Sequence, residues 1–191
     1  TGITPDQIKA LVYQHYDPDL CGSGPNFEDI INRTDLKIIS GRENLAFIRH
    51  YAVKSELVAP DQIDFSYTFS SGRKVKFIET PFAHSSGSFV TFDTQSRIMF
   101  SSDLFGSYGN DWQLFLNLPP ECMDCSSLDQ CLDQRHVCQV RDILDFHRKI
   151  MSNNKALRFA LEKMAQVPFD IIAPQHGSII TERKIELYLR W

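Results

Sequence analysis

The apolar positions of the chain fall into short runs whose spacing switches repeatedly between the helical and the strand period. Ile8 and Leu11 recur at helical spacing after Thr4 and Pro5, a cap and a first-turn residue, which predicts a short opening helix. The apolar run LVYQ at 11–14 then reads as a strand. Turn chemistry in CGSGPNF, Cys21 to Phe27, separates it from a helical stretch at 27–32 and a strand in LKIIS at 36–40. Glu43 to Val53 carries helical spacing through Leu45 and Ile48. Ile63 to Phe69 and Val75 to Ile78 alternate like the arms of a hairpin joined by SSGR, and Ser88 to Phe92 with Arg97 to Ser101 form a second pair around DTQS. Lys155 to Met164 is an amphipathic helix leading into the strand DIIAP at 170–174. Strands and helices are interleaved throughout. The one break is Leu118 to Cys138, where prolines, acids and cysteines interrupt the pattern, and it is expected to be an inserted loop or small subsite.

A chain of 191 residues with 42% hydrophobic content suffices for one domain, here expected to span 1–191 with the insert at 118–138. The formal net charge of -4, without a run of Lys and Arg, argues against nucleic acid and membrane surfaces as partners. No apolar stretch approaches the roughly 20 residues that span a bilayer, and TGITPDQIKA lacks the make-up of a signal peptide. Five cysteines are an odd count, four of them crowded between Cys122 and Cys138, so a reducing cytoplasm is the expected location. The first residue is not Met, which suggests a piece of something longer.

Four places share one grammar: an apolar run ends, and a metal-capable side chain stands at its edge or in the loop that follows. They are His15, Asp17 and Asp19 after LVYQ, His84 in PFAHSSGS, Asp103 in IMFSSDLFG, and His176 in IIAPQHGS. Residues two apart in an extended segment project to one side, so His15, Asp17 and Asp19 can converge where the backbone leaves the sheet. A single His-x-Asp is more often a turn or a surface hydrogen bond. Four such places in order, each in a position where rigid scaffolds carry reactive groups, are hard to obtain by accident.

In this order the motifs HxDxD, PFxHSSGS, SSDLFG and APQHG resemble the metallo-β-lactamase fold, and within it the non-haem di-iron branch of flavodiiron proteins and oxygen-binding di-iron sensors. The resemblance covers nearly the whole chain and implies an α+β fold, an αββα sandwich. It also implies that His15, Asp17 and His84 hold one metal, Asp19 and His176 the other, and that Asp103 bridges them. The zinc hydrolases of the superfamily carry HxHxDH, whereas this chain has Asp17 and Leu20 in the second and last places. Exchanging one imidazole for a carboxylate and deleting another hardens the ligand set toward two iron ions, with manganese or zinc as alternatives. The missing imidazole at Leu20 leaves room for an exogenous ligand on the second metal, beside an apolar wall. Asp17 stands where di-iron relatives mostly use Glu, so the backbone must come closer or the metal bind less well. The segment before His15 is too short for the strands that normally precede this motif, so the N-terminal strands are expected to be missing.

Flavodiiron proteins continue into a flavodoxin domain, and no phosphate-cradling loop in this chain supplies a flavin site. The resemblance therefore implies an oxygen-binding or sensing domain ahead of an oxygen or nitric oxide reductase. Dioxygen or another diatomic molecule is the ligand, and an electron-donor protein or a signalling output domain the partner. A homodimer is a further implied partner, although the flavin-to-iron contact that explains it in flavodiiron proteins is lacking. The competing expectations are a dinuclear zinc hydrolase, against which Asp17 and Leu20 count, and an interaction domain that has lost its metal, against which the six retained positions count.

Cys122, Cys125, Cys131 and Cys138 begin with a CxxC, a half-site for zinc or an iron–sulfur cluster, but the second half lacks a matching CxxC; His136 is a substitute ligand. Cys21 reads as a small buried thiol, with redox sensitivity as the alternative. His50 and His147 are expected on helices, His147 solvated or lining the metal pocket. Tyr13, Tyr16, Phe82, Phe105, Tyr108 and Trp112 are expected in the core, with one or two walling the open position.

Overall fold

Two sheets organise the computed structural model, which describes residues 2–109, 113–119, 122 and 138–181. In the first half, β1 (Ala10–Tyr13), α1 (Pro18–Cys21), α2 (Gly24–Ile31), β2 (Lys37–Ser40), α3 (Arg42–Ile48) and β3 (Glu56–Val58) alternate, and the strands pair in parallel in the order β1-β2-β3. The second half has β4 (Ser66–Thr68), β5 (Lys74–Glu79), β6 (Phe89–Asp93), β7 (Ile98–Ser102), α4 (Gln139–Ile150), α5 (Asn154–Met164), β8 (Ile171–Pro174) and β9 (Ile180–Thr181). Its six strands lie in chain order and pair antiparallel except β7 with β8, whose connection runs through α4 and α5. A helical crossover of that kind is what a parallel pair requires.

Side chains alternate across a strand, so each sheet has two faces to cover. In β2, Ile38 packs with Tyr13, Cys21 and Ile48 under α1 and α3, while its neighbour Ile39 meets Val58, Phe77 and Phe89 between the sheets. In β6, Phe89 joins that inner cluster and Val90 turns outward to Met99, Ile172 and the helical residues Ile143, Ala160 and Met164. Three apolar clusters thus separate four layers, the αββα sandwich. Each large side chain buried there contributes roughly 1.5 to 3 kcal/mol, which outweighs local propensity in setting the layers.

Both hairpins form as the alternation predicts. The arm expected at Ile63 to Phe69 is shorter, because Pro60–Ile63 make a 3₁₀ turn and Asp64 and Phe65 take positive φ. The opening is not a helix. Only Pro5–Gln7 turn, with the Thr4 N–H donating to Gln7 Oε1 at 2.9 Å, and Leu11 belongs to β1, where pairing against Ile38 overrides a two-residue helical spacing. Cys21 to Phe27 is likewise not a continuous turn, since α2 already begins at Gly24 with Pro25 in its first turn, where a missing N–H costs nothing. β3 and β9, of 3 and 2 residues, are too short to show a period. Among the described residues no helix is long and apolar enough to cross a membrane. Of the insert cysteines, Cys122 and Cys138 are described, both half-buried; Cys125 and Cys131, like Trp112 and His136, lie outside the described residues.

Candidate metal centre

The six histidines and aspartates singled out above meet at one edge of the sandwich. His15, Asp17 and Asp19 follow β1, Asp103 follows β7, His176 follows β8, and His84 sits in the loop between β5 and β6. Asp17 caps α1 from an extended backbone, and this early helical turn carries the short Asp17 side chain to His84, with Oδ2 2.7 Å from Nε2. Asp19 Oδ2 lies 3.0 Å from His176 Nε2. Asp103 stands between these two pairs: Oδ1 is 3.7 Å from Nε2 of both His15 and His176, and Oδ2 is 3.5 Å from His84 Nε2. His15, Asp17 and His84 each offer a ligand atom within 4.8 Å of the others.

Exposure grades across the centre. His15 and Asp103 are buried, and the side chains of His176 and Asp19 are 32% and 42% exposed. Among the described residues the three carboxylates form ion pairs with histidines only. Asp103 Oδ1 is buried without a hydrogen-bond partner. A buried carboxylate oxygen left unpaired costs well over ~1 kcal/mol, so the group is built for a positive partner. Ligand atoms about 2 Å from a shared ion stand roughly 3 Å apart or more, and the separations around Asp103 fit such an ion better than hydrogen bonds.

The supporting shell was mostly invisible in the sequence. Gln175 donates from Nε2 to Asp19 Oδ2 at 2.7 Å and places Oε1 3.0 Å from His15 Nε2; adjacency to His176 in APQHG was its only signal. Gln14 reaches the second sheet, donating to Thr91 Oγ1 (3.2 Å) and the Phe100 carbonyl (2.7 Å), and fixes the end of β1. Asn44 of α3 donates to the Gly87 carbonyl at 2.9 Å and to Ser40 Oγ at 3.2 Å, tying the His84 loop to the first sheet. Backbone strain gathers here: His84, Ser102 and Phe105 take φ of 92°, 56° and 66°. Such positions cost about 1 to 3 kcal/mol each and persist only where the surroundings hold them. The β7–β8 register shifts between Phe100 and Ser102, which re-aims the chain just before Asp103.

His147 corrects an expectation. It is neither solvated nor a lining group but buried behind the Asp103 loop, where Nε2 accepts the Phe105 N–H at 2.7 Å, and burial lowers its pKa to about 4. Cys21 is fully buried, donates to the His15 carbonyl at 3.4 Å, and has its pKa raised to about 12 by burial and by Asp17 and Asp19. A thiol held protonated in this way is a packing group. His50 is exposed. Leu20 packs half-buried against the cluster beneath β1. Of the aromatic residues, Tyr13 and Phe105 are core, Tyr16 stacks on Phe47, Phe82 is exposed, and Tyr108 lies with its ring 6.0 Å from that of His176.

A metallo-β-lactamase sandwich with histidines and carboxylates gathered at its strand ends defines the class. Residues 1–177 match the family described as "ODP family beta lactamase", and the chain belongs to that family. It is 31% identical over 197 residues to the anaerobic nitric oxide reductase flavorubredoxin of Enterobacter sp. (strain 638), covering 97% of this chain and 36% of that protein. The chain therefore spans about a third of that relative's length. Among solved structures, the apo state of the chemotaxis sensor ODP from T. denticola superposes with a TM-score of 0.77 at 26% identity over 99% of this chain and 70% of the other. A structure described as the peroxy diiron species of chemotaxis sensor ODP gives 0.75 at 25% identity over 99% and 72%.

Proposed function

We propose that this chain is an oxygen-binding di-iron domain with a sensing role, in which His15, Asp17 and His84 hold one iron, Asp19 and His176 the other, and Asp103 bridges them. The observation that carries the reading is Asp103: a buried carboxylate with an unpartnered oxygen and three imidazole nitrogens at 3.5 to 3.7 Å. Three carboxylates against two divalent cations leave a small positive excess, which suits a ligand that becomes anionic on reduction. An oxygen-rich donor set favours iron over zinc. Two ferrous ions held by these residues would supply two electrons to a diatomic ligand.

The residues divide the work. Buried His15 and Asp103 exclude water from the deep side, and half-exposed His176 and Asp19 leave the outer side open to a small ligand. Leu20, packed toward the core, contributes no imidazole to that side. Sensing is the favoured role because residues 1–177 match the ODP family and the chemotaxis sensor ODP superposes on 99% of this chain with TM-scores of 0.75 and 0.77. Metal analysis of anaerobically purified protein tests the reading: two irons per chain are expected, and a zinc-loaded protein with ester-hydrolase turnover, or one that takes up no metal, would overturn it.

A further inference from the structure

Among the described residues, Gln175 is the one uncharged side chain whose polar atoms touch a proposed ligand of each metal. Its carboxamide spans the centre, Oε1 3.0 Å from His15 Nε2 and Nε2 2.7 Å from Asp19 Oδ2. Its backbone is fixed, with the N–H donating to the Ser102 carbonyl at 2.8 Å, directly beside Asp103. His15 Nδ1 accepts the Asp17 N–H at 3.2 Å, so Nε2 is the nitrogen that carries hydrogen and donates to Gln175. The same Nε2 faces Asp103 Oδ1, the atom His15 must share an ion with.

We infer that Gln175 is a positioning residue with opposite effects on the two metal positions: it competes for His15 at the first and clamps Asp19 at the second. His15 can ligate through Nε2 only after giving up its bond to Oε1, which weakens the first position by the worth of one part-buried hydrogen bond. Asp19 Oδ2 also faces His176 Nε2, and the Gln175 N–H donor holds the carboxylate at that orientation. An exposed Asp19 without this donor is free to rotate into water, so the second position depends on Gln175. The result is a centre whose two affinities are drawn closer together than the burial difference alone would leave them.

The inference rests on the two-iron reading, and one calorimetric titration separates the two. Ferrous ion is added anaerobically to metal-free wild type, Gln175→Leu, Gln175→Met and His176→Ala, the last marking which step belongs to the second position. Gln175→Leu should tighten the first step roughly 2- to 10-fold, from one neutral hydrogen bond removed. It should weaken the second step roughly 10- to 100-fold, the usual cost of losing a partner that orients a ligand. A residue that merely supported the fold would move both steps the same way. Gln175→Met is expected to show the same split and keeps the test intact if the leucine variant does not fold. Two ions in wild type with steps that do not move in opposite directions in the variants would overturn the role of Gln175; fewer than two ions in wild type would overturn the two-iron reading itself.

Discussion

Asp103 is within 3.7 Å of three imidazoles and makes no hydrogen bond through Oδ1, so its charge is answered by the site or by nothing. Asp103→Ala should abolish stoichiometric iron binding, because two cations at short range would lose the carboxylate between them, and His84→Ala should remove at least one iron. His50→Ala, on an exposed side chain, should leave iron content unchanged. Iron analysis of the three variants checks this, and loss of metal in His50→Ala would count against the assignment. His147 makes a separate prediction about stability. Burial lowers its pKa to about 4 in the folded protein, from about 6.5 when unfolded, so the unfolded chain binds more protons between these values. Its contribution is therefore present above pH 6.5 and lost as pH falls toward 4, with an upper bound on the order of 3 kcal/mol. In the metal-free protein His147→Gln, which keeps an acceptor for the Phe105 N–H, should flatten the fall in stability across that window. Urea unfolding at pH 4 to 7 measures it, and equal slopes for variant and wild type would contradict the assignment.

Helix α3 and the loop carrying His84 meet through glycine. A Cβ on Gly41 would stand 2.2 Å from the Gly87 carbonyl oxygen, and one on Gly87 would stand 2.5 Å from Asn44 Oδ1. Gly41→Ala must push the His84 loop away from the first sheet, at about 2 kcal/mol or more in unfolding free energy, and should weaken iron binding at the first position. Undiminished stability together with full iron content would show that the contact yields freely. The same elements explain what the sequence made legible. Hairpins β4–β5 and β6–β7 announced themselves because strict alternation follows directly from one face packing inward. The six ligand candidates were legible because each stands at the end of an apolar run or in the segment that follows it. Asn44, Gln14 and Gln175 were not, since their hydrogen bonds join residues 43, 77 and 160 positions apart, and no local pattern encodes such a pairing. The burial of His147 escapes local pattern for the same reason: its partner Phe105 is 42 positions away.

At the scale of the molecule, the sandwich places a buried carboxylate at the junction of two sheets and leaves the outer half of the centre open. The first sheet supplies His15, Asp17 and Asp19 and the second supplies Asp103, His84 and His176, so metal binding should couple the sheets. Removing iron with a chelator is therefore expected to lower the thermal midpoint and to bring it back when ferrous ion is restored, by ordinary linkage of ligand binding to folding. A midpoint indifferent to iron would mean that the site is not filled by metal. The iron-loaded site is expected to bind dioxygen. Rapid mixing of the anaerobic, fully iron-loaded protein with dioxygen, followed by visible absorbance, is the decisive experiment. A new band that outlives mixing and requires both irons is expected; a protein with both ions in place that shows no spectral change and instead turns over ester substrates would contradict oxygen binding.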